Sequence, residues 1–315
     1  MRIDYGQIDA GLRQLRGIDN PLIKLAGVNA LKLMHRFSHF SKAELPDGVD
    51  CGNVWIDRGD GTKMRLRTYS PVDASQKGPA VLWIHGGGFV IGSPETGAPK
   101  CKRMVEESGA VIVSPDYRLS AEKPYPAALD DCYLALLWLR DHALELGAVS
   151  NRIIVAGESA GGGLTIAVTL MARDKKDVDI ALQLPVYPMI DDRLTESSRD
   201  SNAPLWNARN NRAAWKLYLG DLYGADNVPN YAAPSRTEDY SGLPPAITYI
   251  GDLDMFCSET VEYFDRLRQA GVPAECRVYK GCYHGFDVVH PEADISREAL
   301  DTFFSSYRQA VEKYI

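Results

Sequence analysis

Five short runs, Ala80 to Ile84, Ala110 to Ser114, Ile153 to Ala156, Ile180 to Leu184 and Ala246 to Ile250, are almost wholly apolar and lack the alternation of a half-exposed strand. Strands of that kind are buried on both faces, which happens when helices cover a parallel sheet. The segments between them carry helical spacing. After Pro126, Leu129, Cys132, Tyr133, Leu136 and Leu137 share one face, and Leu164 to Met171 and Val261, Phe264 and Leu267 suggest further crossover helices. The pattern predicts a doubly wound α/β fold with a mostly parallel central sheet flanked by helices.

Both ends of the pattern are legible. Val54-Trp55-Ile56 and Met64 to Tyr69 flank Gly59-Asp60-Gly61, which predicts an antiparallel hairpin at the leading edge. A helix is expected to start near Ser258 as its N-cap, with Glu259 in its acidic first turn and Gly271 ending it in the left-handed conformation. The strand Ala274 to Tyr279 follows, and Leu300, Phe303, Phe304, Tyr307, Val311 and Tyr314 mark a last amphipathic helix. The stretch from Pro188 to about Asn227 is too long for a simple connection and has its own helical signal around Trp215, Tyr218 and Leu222. Residues 1–45 hold Leu22, Ile23, Leu25, Leu31, Leu33 and Met34 at helical spacing. The expected organisation is one core in two parts, 46–187 and 228–315, with an insertion, 188–227, that forms a helical cap together with the N-terminal helices. Trp206 and Trp215 are candidates to line a pocket under that cap or to pack within it.

The strand Ile153 to Ala156 runs into Gly157-Glu158-Ser159-Ala160-Gly161 and then a helix, the context in which a sharp turn presents a serine hydroxyl. Glycine at 157 and 161 suits the close approach of backbone and helix in such a turn. A serine is a weak nucleophile at its free pKa, so a base must take its proton and a third group must orient that base. Downstream, Asp252-Leu253-Asp254 follows one strand and His284-Gly285-Phe286 the next, in the order Ser, Asp, His and at the strand ends where such sites form. His284 is the expected base. Either Asp252 or Asp254 could orient it, the other capping the turn, with Asp254 preferred. After the Ala80 to Ile84 strand, His85-Gly86-Gly87-Gly88 can turn the N–H groups of Gly87 and Gly88, with that of Ala160, toward a developing oxyanion. His85 itself is expected to be a structural hydrogen-bonder, and Asp116 and Arg118 a structural ion pair.

Composition narrows the alternatives. A net charge of −7, a pI near 5.5 and the lack of any Lys/Arg-rich run argue against a nucleic-acid partner. No apolar stretch of membrane-spanning length and no signal-peptide pattern at Met1 to Gly6 point to a cytoplasmic protein without a membrane span. The six cysteines lack CxxC spacing and are expected to be reduced. No ligand-spaced His/Cys/Asp set or phosphate loop implies a metal or a cofactor, so none is expected.

His85-Gly86-Gly87-Gly88-Phe89 upstream of Gly157-Glu158-Ser159-Ala160-Gly161-Gly162 resembles the bacterial hormone-sensitive-lipase family of α/β-hydrolase esterases. Asp116-Tyr117-Arg118-Leu119, Pro126 to Asp131, Tyr187-Pro188, Gly242 to Pro245 and the Asp254 and His284 segments are also similar, from about residue 50 to the end. The resemblance implies an α/β-hydrolase fold with a helical cap, a Ser159, Asp254, His284 triad, an oxyanion hole of Gly87, Gly88 and Ala160, and a small-molecule ester, of short acyl chain, as partner. A homodimer is implied by the same analogy. The sequence departs from the family at Met255, where Pro is frequent, at Ser258, where a second Asp is common, and at Ser120-Ala121, where Ala-Pro is usual. An amidase or deacetylase would use the same residues. A ligand-binding receptor on this scaffold usually lacks the histidine that is present here.

Overall fold

A computed structural model describes residues 1–14, 27–29, 31–32, 47–73 and 75–315. Its centre is an eight-stranded sheet, ordered β1-β2-β4-β3-β5-β6-β7-β8. The strands are β1 (Val49–Asp57), β2 (Lys63–Pro71), β3 (Ala80–Ile84), β4 (Val111–Pro115), β5 (Ile153–Glu158), β6 (Ile180–Val186), β7 (Ala246–Gly251) and β8 (Ala274–Tyr279). β1 and β2 form the expected hairpin, with Val54 opposite Leu66, and β2 runs antiparallel to β4; every other pairing is parallel. Every residue of β3, β4, β5 and β7 is buried, in keeping with their almost wholly apolar sequence, whereas β8 at the edge is half-exposed.

The helices are α1 (Ala98–Ser108), α2 (Ala127–His142), α3 (Ala160–Lys175), α4 (Ala208–Leu219), α5 (Cys257–Gln269), the single turn α6 (Phe286–Val289) and α7 (Asp294–Tyr314). From β3 the chain steps outward to β4 through α1, then returns past β3 to β5 through α2. Crossovers of constant hand that step in opposite directions put their helices on opposite faces, so α1 pairs with α7 and α2 with α3. The reversal leaves the loops after β3 and β5 diverging above their carboxyl ends, which opens a crevice there.

Two local expectations are corrected. α5 begins one residue before Ser258, because Asp254 starts the turn: its carbonyl accepts from the Cys257 N–H at 3.1 Å and its carboxylate from the Phe256 N–H at 2.9 Å. Ser258 therefore lies inside the first turn and bonds Ser197. Gly271 is left-handed as expected, at φ +79°. Asp116 and Arg118 do not pair with each other. Arg118 joins Arg58 on Asp131, whose side chain is only 1% exposed and so demands cations, while the more exposed Asp116 meets Arg65.

The N-terminal expectation falls mainly on Leu22, Ile23, Leu25, Leu33 and Met34, which lie outside the described residues. Leu31 is buried. Residues 1–14 form two short 3-10 turns bonded to the region between β6 and β7, where Ile3 exchanges hydrogen bonds with the Asn202 side chain at 2.6 and 3.1 Å. No helix among the described residues is long and apolar enough to cross a membrane.

Candidate active site

At the end of β5 the backbone turns sharply into α3, and Ser159 sits at the corner with φ +56° and ψ −120°. A non-glycine residue is strained in that region, so the turn must be held by its surroundings. Glycines make the hold possible. A Cβ on Gly161 would lie 2.1 Å from the carbonyl oxygen of Ile84 and 2.4 Å from that of His85. Backbone on both sides cannot yield, and Gly161→Ala should cost on the order of 3 kcal/mol. Urea denaturation checks this; a midpoint equal to the unmodified protein's would show that the turn can relax.

The side chain of Ser159 meets His284, carried by the loop after β8. Their Oγ and Nε2 are 2.9 Å apart, and His284 Nδ1 lies 2.7 Å from Asp254 Oδ2 on the loop after β7. Ser159, His284 and Asp254 are 8%, 5% and 1% exposed, so water competes weakly for these bonds. The rings of Tyr187 and Phe256 stand edge-on to the imidazole, each 5.0 Å away, and fix its plane. The structure thus brings Asp254 to the histidine. Asp252 does other work, its Oδ1 accepting from the Gly281 N–H at 2.7 Å and so bracing the loop that leads to His284.

Above the serine, Gly87 and Gly88 have φ +116° and +61°, conformations that favour glycine, and a Cβ on Gly88 would strike the Trp206 ring at 2.4 Å. Ala160 opens α3, so its N–H is one of the amides that a helix start leaves unpaired. None of the N–H groups of Gly87, Gly88 and Ala160 donates to another protein group among the described residues. A cavity of about 180 Å³ opens here, lined by Gly86 to Gly88, Ser159 and His284 and walled by Leu205, Trp206 and Val288. Trp206 therefore borders the cavity, whereas Trp215 packs behind it against Phe89.

Other candidates fall away on burial. His85 is buried and stacked on Tyr117, its Nδ1 2.8 Å from the Gly86 carbonyl, and burial lowers its pKa, so it stays neutral. All six cysteines are unpaired. Burial pushes the Cys257 thiol up to about 12 and raises that of Cys282, so neither offers a thiolate near neutral pH. Among the described residues no group of three or more His, Cys, Asp or Glu side chains could hold a metal ion.

Sequence reasoning singled out Ser159, Asp254, His284, Gly87, Gly88 and Ala160; Ser159, His284, Gly87 and Gly88 line one cavity, Asp254 lies behind it on His284, and Ala160 follows Ser159 at the start of α3. It missed Lys100, Asp287 and the linings from Leu205 and Val288, which come from segments without a motif.

A hydroxyl polarised by a carboxylate-oriented imidazole, beside unpaired amides at the switch point of a doubly wound sheet, places the chain in the class of α/β-hydrolases. A family model of the alpha/beta hydrolase fold matches residues 81–288. The chain belongs to that family, in its hormone-sensitive-lipase-like branch of carboxylic-ester hydrolases. The esterase LipI of Mycobacterium tuberculosis is 36% identical over 210 residues, 66% of this chain and 65% of that protein, so the match spans just under two thirds of LipI. Carboxylesterase NlhH of the same organism is 34% identical over 229 residues, 71% of this chain and 72% of that one. Among solved structures, a bacterial heroin esterase superposes with a TM-score of 0.88 at 35% identity, covering 98% of this chain and 99% of the other.

Proposed function

We propose that this enzyme is a carboxylesterase for short-chain acyl esters that works through an acyl-enzyme, with Ser159 as nucleophile, His284 as base and Asp254 as the acid that orients it. The observation that carries the reading is the unbroken chain of hydrogen bonds from Asp254 through His284 to Ser159, ending at a cavity beside unpaired amides. His284 Nε2 takes the Ser159 proton as Oγ attacks the ester carbonyl. The N–H groups of Gly87, Gly88 and Ala160 receive the oxyanion, each worth on the order of a hundred-fold or more in rate. The imidazolium, stabilised by Asp254, then gives its proton to the leaving alkoxide. Water attacks the acyl group by the same route and frees the serine.

Cavity size supports small substrates, because about 180 Å³ lies below the roughly 300–1,000 Å³ typical of pockets for drug-sized ligands. Residues 188–227 act in this proposal as a cap with the N-terminal segment, a role favoured by Leu205 and Trp206 forming one wall and by the Ile3 to Asn202 bonds. The six unpaired thiols favour a reducing, cytoplasmic setting.

Hydrolysis of p-nitrophenyl esters from acetate to palmitate tests the reading. Turnover should be highest on the short chains, and no turnover on any chain by well-folded enzyme would overturn it. Trp206→Ala removes a wall, so its preferred acyl or alcohol group should become longer; an unchanged chain-length profile would show that Trp206 does not set the limit.

A further inference from the structure

Beside the serine turn, outside the bonds that link Ser159, His284 and Asp254, a second polar cluster is buried. The Lys100 ammonium, from α1, lies 2.9 Å from Glu158 Oε2 and 2.7 Å from Asp287 Oδ2. The Tyr187 hydroxyl donates to Glu158 Oε2 at 3.2 Å and accepts from Lys100 at 3.3 Å, while the Tyr249 hydroxyl donates to Asp287 Oδ2 at 2.7 Å. Lys100, Glu158 and Asp287 are 7%, 5% and 3% exposed. Burying one cation with two carboxylates is costly, and apolar side chains would fill the same space more cheaply. Packing alone does not account for it.

The places these residues occupy in the chain suggest what the cluster is for. Glu158 immediately precedes Ser159, and Asp287 lies in α6, three residues beyond His284. The ammonium therefore joins the turn that carries the hydroxyl to the loop that carries the imidazole. Tyr187, which touches the ammonium, also stands edge-on to the His284 ring. We propose that Lys100 is a positioning residue for the reaction: its charge clamps Glu158 to Asp287 and so sets the separation of Ser159 Oγ and His284 Nε2 during turnover. Without the cation, two carboxylates would face each other in a dry interior and drive the two loops apart. Burial works against the charge on Lys100, and the attraction of Asp287 and Glu158 outweighs it, holding the ammonium above the ordinary lysine value.

A neighbouring cavity of about 250 Å³, lined by Lys100, Arg103, Glu158 and Asp287, leaves room for a guanidinium in place of the ammonium. This permits a conservative variant. The inference rests on the esterase reading but fails separately from it. The test measures kcat and KM on p-nitrophenyl acetate for the unmodified enzyme, Ser159→Ala, Lys100→Met, Lys100→Arg, Asp287→Asn and the Lys100→Met/Asp287→Asn double variant, at a temperature where near-UV circular dichroism shows each folded.

Lys100→Met should lower kcat about 10- to 100-fold with KM within about twofold, since a misplaced base hurts the chemical step and the Lys100 side chain does not line the cavity beside Ser159. Lys100→Arg should recover kcat to within about threefold of the unmodified enzyme, because it restores the charge. The double variant should be no worse than Lys100→Met, because both changes break one contact. A Lys100→Met enzyme that keeps its kcat while Ser159→Ala is inactive would overturn the proposal, as would single losses that multiply in the double variant. An active Ser159→Ala would instead overturn the esterase reading. If Lys100→Met does not fold, Tyr249→Phe, which removes only the hydroxyl on Asp287, should still lower kcat severalfold, and an unchanged kcat would refute the clamp.

Discussion

Ser159→Ala is expected to lose roughly a million-fold in kcat on p-nitrophenyl acetate, because removing the nucleophile disables the base that serves it. The magnitude follows from the lack of a substitute. Cys257 and Cys282 are held as thiols by burial, and the Tyr187 hydroxyl is committed to Glu158, with its pKa raised by burial. Loss of one hydroxyl leaves the fold intact, so the melting temperature should stay within a few degrees. A variant retaining a tenth of the activity would mean that Ser159 is not attacked or attacking in the reaction.

Replacing Asp254 with Asn should cost about 10⁴-fold in kcat. Its Oδ2 accepts from His284 and its Oδ1 from the Phe256 N–H, so an amide can satisfy only one of these two bonds without placing a donor against an N–H. The imidazole would then adopt the wrong tautomer or turn, and its cation would lose a buried counter-charge. Asp252→Asn should cost little, because an amide oxygen can still accept from the Gly281 N–H. The reverse ranking would transfer the orienting role to Asp252 and undo the assignment.

The contrast between Asp254 and Asp116 marks what a sequence conveys. Strands β3, β5 and β7 are written in almost wholly apolar runs, and the serine and the aspartate follow β5 and β7, while the histidine follows β8, a half-exposed edge strand placed by its order after the preceding helix. Local pattern and chain order suffice there. Partners of buried charges obey no period. Asp116 finds Arg65 and Lys100 finds Glu158 across more than fifty residues, because topology and not spacing brings them together. Glu259 is the sharpest case. Its position suits an exposed first turn, yet it is 3% exposed and accepts from the N–H groups of Ile190 and Asp191, with burial raising its pKa well above the usual carboxyl range. Nothing in its neighbours signals that the segment after β6 would return to cover it. Trp206 reaches the cavity for a similar reason, through a turn with Leu205 at φ +61° that propensity does not foresee.

The most direct test of the central claim is covalent labelling with a p-nitrophenyl phosphonate, a mimic of the ester that leaves its phosphorus bonded to the attacking oxygen. Peptide mapping should find one equivalent on Ser159, with activity falling in step with labelling and no label on Ser159→Ala. Label on another residue that tracks the loss of activity, or full turnover by enzyme labelled at Ser159, would contradict the account.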